Sequence, residues 1–163
     1  MRHILSLLVE NEAGALSRIS GLFSARAYNI ESLTVAPTND DSVSRMTIVT
    51  VGSDQVVEQI TKQVNKLVDV IKVIDLNDMR HIEREILLIK VDSNKIQKEL
   101  LEPILKEIHG KIIDDSENTF TIELVGNGEK LDNFIQQINT DWIIEVVRSG
   151  VSGIALGTSA MKI

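Results

Sequence analysis

The chain has 163 residues and a formal net charge of −7; apolar residues make up 43% of it and aromatic residues only 3%. Acidic side chains outnumber basic ones in both halves, so nucleic acid and anionic membranes are poor partners. The absence of cysteine excludes disulfides and thiolate metal sites. No signal peptide or membrane span fits the sequence, so we expect a cytoplasmic protein with a core of Ile, Val and Leu.

The sequence contains an internal duplication. Thr47-Ile48 recurs as Thr121-Ile122, and the stretch Gln63-Val64-Asn65 recurs in the same order as Gln137-Ile138-Asn139. A duplication of this kind fixes the number of domains. The predicted organisation is a first domain over residues 1–76, a linker over residues 77–82 and a second domain over residues 83–163.

Each copy shows the same order of elements: strand, helix, strand, strand, helix, strand. In the first copy the predicted strands are Ile4–Val9, Ile30–Ala36, Arg45–Val51 and Val70–Ile74. Its predicted helices are Gly14–Ala25 and a segment with apolar residues at helical spacing, Val57, Ile60, Val64 and Leu67. In the second copy the predicted strands are Glu85–Val91, Lys111–Asp115, Thr119–Leu124 and Ile143–Val147, and the predicted helices are Lys95–Ile108 and Leu131–Asn139.

A β-α-β-β-α-β unit forms a four-stranded antiparallel sheet with both helices on one face. The predicted fold is therefore α+β, with two tandem ferredoxin-like units. Pro103 lacks an amide donor, so it predicts either a kink in the third helix or a later start. The strands are apolar on both sides, as in Ile4–Val9, which predicts that something covers the bare face of the sheet or extends its edge, and we infer an oligomer.

The sequence offers no catalytic arrangement. The three histidines, His3, His81 and His109, are isolated, and no nucleophile elbow, Walker loop or dinucleotide fingerprint is present. The acidic pairs Asp40-Asp41 and Asp114-Asp115 fall in predicted turns, where we expect solvated carboxylates rather than a metal site. We predict no catalytic and no metal-binding residues.

The stretch that joins the first strand to the first helix is the best candidate binding site. Gly14 allows close approach of a ligand to the backbone, and the amides of Ala15 and Leu16 at the helix start would bind a carboxylate. The Asn11 side chain would suit an ammonium group. A second candidate is the turn at Asn29 and Ile30. The alternative is an ordinary helix cap and an ordinary turn.

Three stretches resemble the signature sequences of the small subunits of acetohydroxyacid synthase, also called acetolactate synthase. They are residues 10–18 (ENEAGALSR), 26–38 (RAYNIESLTVAPT) and 44–48 (SRMTI). In the second copy, Glu83-Arg84-Glu85 and Val147-Arg148-Ser149-Gly150 are similar to that family as well. The likeness covers nearly the whole chain.

This resemblance implies an N-terminal ACT domain that binds valine as a feedback effector between two copies of the chain. Asn11, Gly14, Ala15 and Leu16 of one copy and Asn29 and Ile30 of the other would then hold it. The partner would be the catalytic large subunit, which the chain would activate and make sensitive to inhibition by valine. Thiamine diphosphate, magnesium and FAD would belong to that large subunit, and no cofactor to this chain.

Two other interpretations remain open at this stage. A free-standing, amino-acid-responsive ACT regulator is the alternative function, although a helix-turn-helix motif and a basic face are both absent. An independent small enzyme would require a catalytic arrangement that the sequence lacks.

Overall fold

The computed structural model describes residues 1–161, which form two compact units. The first unit comprises Met1–Glu83 together with the segment from Val151 onward, and the second is Arg84–Gly150. The strands are β1 (Arg2–Glu10), β2 (Ser32–Pro37), β3 (Val43–Val51), β4 (Val70–Asp75), β5 (His81–Asp92), β6 (Lys111–Ser116), β7 (Thr119–Gly126), β8 (Ile143–Arg148) and β9 (Ser152–Ala155). The helices are α1 (Ala15–Ala25), α2 (Asp54–Val64), α3 (Lys98–Glu107) and α4 (Gly128–Gln137).

The first unit contains a sheet of order β2-β3-β1-β4, whose neighbouring strands are antiparallel. Alternate residues of β1 point to opposite faces, and Leu5, Leu7 and Val9 pack in one cluster with Ile19 and Phe23 of α1. Val57, Ile60 and Val64 of α2 complete the same core, which is the helical spacing seen in the sequence. Both helices therefore lie on one face of the sheet.

The second unit repeats this arrangement with the strand order β6-β7-β5-β8. Its core contains Leu87, Ile89 and Val91 of β5 with residues of β7, α3 and α4. The prediction of two ferredoxin-like units is confirmed. Pro103 lies inside α3, and that helix begins at Lys98, later than the predicted Lys95. The predicted acidic turn at Asp114 and Asp115 is wrong, because both residues belong to β6.

The second face of the first sheet is not bare, contrary to expectation. Ile4 and Val49 point away from the helices and pack with Leu76 and Val151 in a separate buried cluster. Two hydrogen bonds hold the segment from Val151 there. The Val151 carbonyl oxygen accepts from Thr34 Oγ1 at 2.8 Å, and Gly153 N donates to Thr47 Oγ1 at 3.4 Å. Apolar residues on both sides of β1 are thus explained largely within the unit itself.

The compact units differ from the predicted domain ranges at two places. The segment from Val151 was expected in the second domain but belongs to the first unit, because Val151 packs with Ile4 and Val49 and the Leu156 amide donates to the carbonyl oxygen of Arg80 at 2.8 Å. The predicted linker is not irregular, since a 3₁₀ turn occupies Leu76–Asp78 and β5 begins at His81. The last two residues of the predicted second domain lie outside the described residues.

Candidate effector site

The loop between β1 and α1 is tied to the turn between β2 and β3 by Asn11. The Asn11 amide donates to the carbonyl oxygen of Ser42 at 2.8 Å, and its side-chain Nδ2 donates to that of Asp41 at 2.9 Å. Its Oδ1 accepts from the Ser44 hydroxyl at 3.1 Å. One lone pair on Oδ1 and one hydrogen on Nδ2 are left over for a ligand. The side chain, expected to suit an ammonium group, therefore also has a structural role.

Gly14 occupies the N-cap position of α1 with φ at 90°, in the left-handed region that favours glycine. The Ala15 amide already donates to the carbonyl oxygen of Glu12 at 3.2 Å, so its predicted role as a free donor is wrong. Within the described residues, the amides of Leu16 and Ser17 have no acceptor. These two donors, at the positive end of the helix dipole, are suited to a carboxylate.

The small side chains near this loop differ in exposure and position. Ala15 is 5% exposed, so its methyl group packs in the protein rather than facing a ligand. Ala13 is exposed and remains available, whereas Ala36 is exposed on the sheet face opposite α1. Leu16 is 44% exposed, which leaves an apolar side chain beside the free amides.

An ion pair that the sequence did not predict fixes the start of α1. Arg18 Nε donates to Asp69 Oδ2 at 2.6 Å, and Arg18 Nη2 donates to Asp69 Oδ1 at 2.5 Å. The side-chain hydrogen bonds from Arg18 lower the pKa of Asp69 and raise that of Arg18. A Cβ atom on Gly14 would lie 2.8 Å from Arg18 Nη1, so the guanidinium is directly beside the candidate site.

The second candidate segment begins where α1 ends. Ala27 has φ at 55°, and its amide donates to Ser24 while that of Tyr28 donates to Phe23, which is a Schellman motif. Asn29 is exposed and its carbonyl oxygen accepts from Thr50 Oγ1 at 2.6 Å, which fixes the turn into β2. Ile30 is half-buried against the first core.

The two segments lie at opposite ends of α1. That helix has 11 residues, so its ends are roughly 16 Å apart at 1.5 Å per residue. Asn11, Gly14 and Leu16 therefore do not form one pocket with Asn29 and Ile30 of the same chain. A ligand the size of an amino acid could contact both segments only if they came from different copies.

Within residues 1–161, no group of three or more His, Asp or Glu side chains is arranged to hold a metal ion. In the same part of the chain, none of the helices has the length and apolar character needed to cross a membrane. His3 Nδ1 lies 2.7 Å from Asp75 Oδ2 and His81 Nδ1 lies 3.0 Å from the Met79 carbonyl oxygen, so each of these histidines has a local partner.

Two family models match the chain and together span most of it. Residues 5–72 match the acetolactate synthase (AHAS) small subunit-like ACT domain. Residues 84–157 match the model described as the small subunit of acetolactate synthase. The first match falls in the first compact unit, and it includes every residue of the candidate effector site.

Full-length relatives agree with these matches. The chain is 51% identical over 158 residues to the acetolactate synthase small subunit of Buchnera aphidicola, covering 96% of this chain and 100% of that one. It is 50% identical over 163 residues to the isozyme 3 small subunit of Salmonella typhimurium, covering 99% and 100%. The crystal structure of the Thermotoga maritima small subunit superposes with a TM-score of 0.87 at 33% identity, over 98% of this chain and 99% of that one.

These relatives confirm the resemblance noted in the sequence. They also account for the lack of a catalytic arrangement, because the family consists of regulatory subunits with an ACT domain in place of a catalytic one. The chain belongs to the family of acetolactate synthase small subunits.

Proposed function

We propose that this chain is a cytoplasmic valine sensor, which activates the large subunit of acetolactate synthase and makes it sensitive to feedback inhibition. The observation that carries the proposal is the full-length identity of 50% to a named small subunit of this synthase. The free amides of Leu16 and Ser17 supply the chemistry, because they offer donors to the carboxylate of an amino acid.

The proposed valine site is split between two copies of the chain. The carboxylate would accept from the amides of Leu16 and Ser17 beside Gly14, and the ammonium group would donate to the spare lone pair of Asn11. Asn29 and Ile30 of the second copy would close the site, since the length of α1 separates them from Gly14 in one chain. A homodimer formed through the ACT domains follows from this division.

The other partner is the catalytic large subunit. It would carry thiamine diphosphate, magnesium and FAD, while this chain would supply regulation alone. Valine binding and activation would be coupled through the ACT dimer, because an effector changes the equilibrium only by binding one state more tightly than another.

Co-expression with the large subunit tests the proposal. The wild-type chain should co-purify with it and raise acetolactate production, and valine should reverse part of that gain. Gly14→Asp places a negative group where the valine carboxylate would bind, so valine inhibition should be lost while activation remains. Gly157→Asp is the matched control, because Gly157 also has a positive φ, at 76°, but has nothing within 4 Å of an added Cβ atom.

Three results would reject the proposal. One is a chain that fails to bind the large subunit. Another is a Gly14→Asp variant that keeps full valine inhibition. The third is equal loss of inhibition in the Gly157→Asp control. Leucine and isoleucine assayed in parallel establish which branched-chain amino acid is preferred.

A further inference from the structure

Arg45 is a half-buried cation that has no carboxylate partner within residues 1–161. It lies on β3, on the face of the first sheet opposite α1 and α2, and its Nε donates to the Ser6 hydroxyl at 2.6 Å. Within residues 1–161 this is its only hydrogen bond, and none of the ion pairs there includes it. Burial lowers the pKa of Arg45, but an arginine remains charged in proteins.

Within residues 1–161 Arg26 and Arg80 also form no ion pair, but both are exposed, whereas Arg45 is half-buried. The sequence has 24 acidic against 17 basic side chains, so carboxylates are plentiful. Arg2, Arg18 and Arg148 each form an ion pair with one of them. Partial burial of a charge costs free energy unless a partner of opposite charge compensates it. Arg45 keeps four N–H donors, two on each terminal nitrogen, without an acceptor.

Arg45 lines a small cavity with a volume of about 210 Å³. Among the described residues, Arg45 is the only charged residue that lines it. Thr47 and Ser152 contribute hydroxyl groups to its wall. The Thr47 oxygen accepts from Gly153 N at 3.4 Å, and among the described residues neither hydroxyl hydrogen has an acceptor. Ala36 and Pro37 add a small apolar part of the wall.

We propose that the cavity beside Arg45 binds a small monocarboxylate with a short apolar tail. The planar guanidinium presents parallel N–H groups that match the two oxygens of a carboxylate. The hydroxyls of Thr47 and Ser152 supply further donors, and Ala36 and Pro37 accommodate the tail. A single negative charge matches the single positive charge of the cavity, which favours a carboxylate over a doubly charged phosphate.

This site is separate from the proposed valine site. Arg45 and Ala36 are neighbours across β2 and β3, on the sheet face that does not carry α1. The Gly14 loop and the free amides belong to the start of α1 instead. A carboxylate bound at Arg45 would also contact Ser152 and Gly153, which belong to the segment from Val151. The inference does not depend on valine binding.

The inference is tested by titrating the full-length chain with propionate. Binding is measured by calorimetry and by NMR of ¹⁵N-labelled arginine side chains. Propionate should bind saturably and shift the Arg45 Nε–Hε resonance. Arg45→Gln should weaken binding by about tenfold or more, because the charged two-pronged contact is lost. Arg45→Lys keeps the charge without the fork and should bind with intermediate affinity. Arg26→Gln is the matched control, since Arg26 is exposed and, among the described residues, its side chain donates only to the Gln63 side chain.

Four outcomes would overturn the inference. They are no saturable binding of propionate, tighter binding of inorganic phosphate than of propionate, equal affinity in folded Arg45→Gln, and an equal loss in Arg26→Gln. If propionate does not bind but Arg45→Gln abolishes capture of the large subunit, the occupant is an acidic side chain of that protein and the proposed ligand class is wrong. The Gly14→Asp variant separates this site from the valine site, because it blocks the carboxylate position beside the Leu16 and Ser17 amides and should still bind propionate like the wild type.

Discussion

Arg18 and Asp69 link the start of α1 to the residue that precedes β4 through two hydrogen bonds, of 2.6 and 2.5 Å. The side chains are distant in sequence but share one planar fork, the geometry in which arginine binds carboxylates best. The main-chain carbonyl oxygen of Asp69 also accepts from the Glu10 amide at 2.8 Å. The pair therefore stabilises the loop that carries Asn11 and Gly14.

Asp69→Asn should destabilise the chain in a pH-dependent way. Hydrogen bonds from Arg18 lower the pKa of Asp69 in the folded state, so its ionised form favours folding. That contribution is complete above the ordinary aspartate pKa of about 4 and is lost as the pH falls towards the lowered value. Thermal unfolding should show a lower Tm for Asp69→Asn at pH 7 and a smaller difference at pH 3. Asp41→Asn, at an exposed site, is the control; the same Tm difference at both pH values would contradict this explanation.

Ala27→Gly should stabilise the chain. Ala27 follows α1 with φ at 55°, where a Cβ atom is strained and glycine is not. Part of the gain is offset by the greater freedom of glycine in the unfolded state, so we expect about 0.5–1 kcal/mol. Urea unfolding measures it. His109 has the same φ of 55° after α3, so His109→Gly should also stabilise. Ala25→Gly, at the last residue of α1, should destabilise because the backbone there is helical. Stabilisation by all three variants, or by none, would count against backbone strain as the cause.

Gly153→Ala should destabilise the first unit. A Cβ atom at this position would lie 2.6 Å from Leu76 Cδ1 and 3.4 Å from Ile4 Cγ2, and Leu76 is fully buried. Overpacking of this kind costs roughly 1–3 kcal/mol. Gly21→Ala is the control, because nothing lies within 4 Å of an added Cβ atom there. If Leu76→Ala does not reduce the cost of Gly153→Ala in a double-mutant cycle, the contact with Leu76 is not its source.

Much of the fold could be predicted because the information is local. The apolar spacing of Val57, Ile60 and Val64 predicts α2, and these residues are buried as that pattern requires. The strand β9 was missed, since it has four residues and too few positions to show a periodicity.

Part of the candidate site could likewise be predicted from local sequence, and part of it could not. The loop glycine at Gly14 and the helix start are visible in sequence, because glycine and the first turn have known conformational and electrostatic properties. The role of Arg18 was not visible, since its partner lies 51 residues away. The use of the Ala15 amide by Glu12 depends on the exact path of the loop, which composition and spacing do not determine.

The division of the valine site between two copies is tested by mixing variants. In a chain with Asn11→Ala and in one with Asn29→Ala, every site is damaged, so each variant alone should bind valine weakly. A mixed dimer of the two restores one intact site, formed by Asn11 of one copy and Asn29 of the other. With random pairing, about a quarter of all sites in an equimolar mixture should be intact in a two-fold symmetric dimer. In the control mixture, Asn133→Ala, at an exposed position of the second unit, takes the place of Asn29→Ala.

The most direct measurement is the calorimetric titration with valine of the Asn11→Ala and Asn29→Ala mixture. The two variants are unfolded and refolded together so that their copies pair at random. If two copies share the site, wild-type affinity should return at about a quarter of the wild-type stoichiometry. The control is a mixture of Asn11→Ala with Asn133→Ala. Each site takes Asn11 from one copy, and half of the copies carry the Asn11→Ala change, so half of the sites should be intact. Recovery of no wild-type-affinity sites in the first mixture, or wild-type valine affinity in Asn29→Ala alone, would contradict a site shared between two copies.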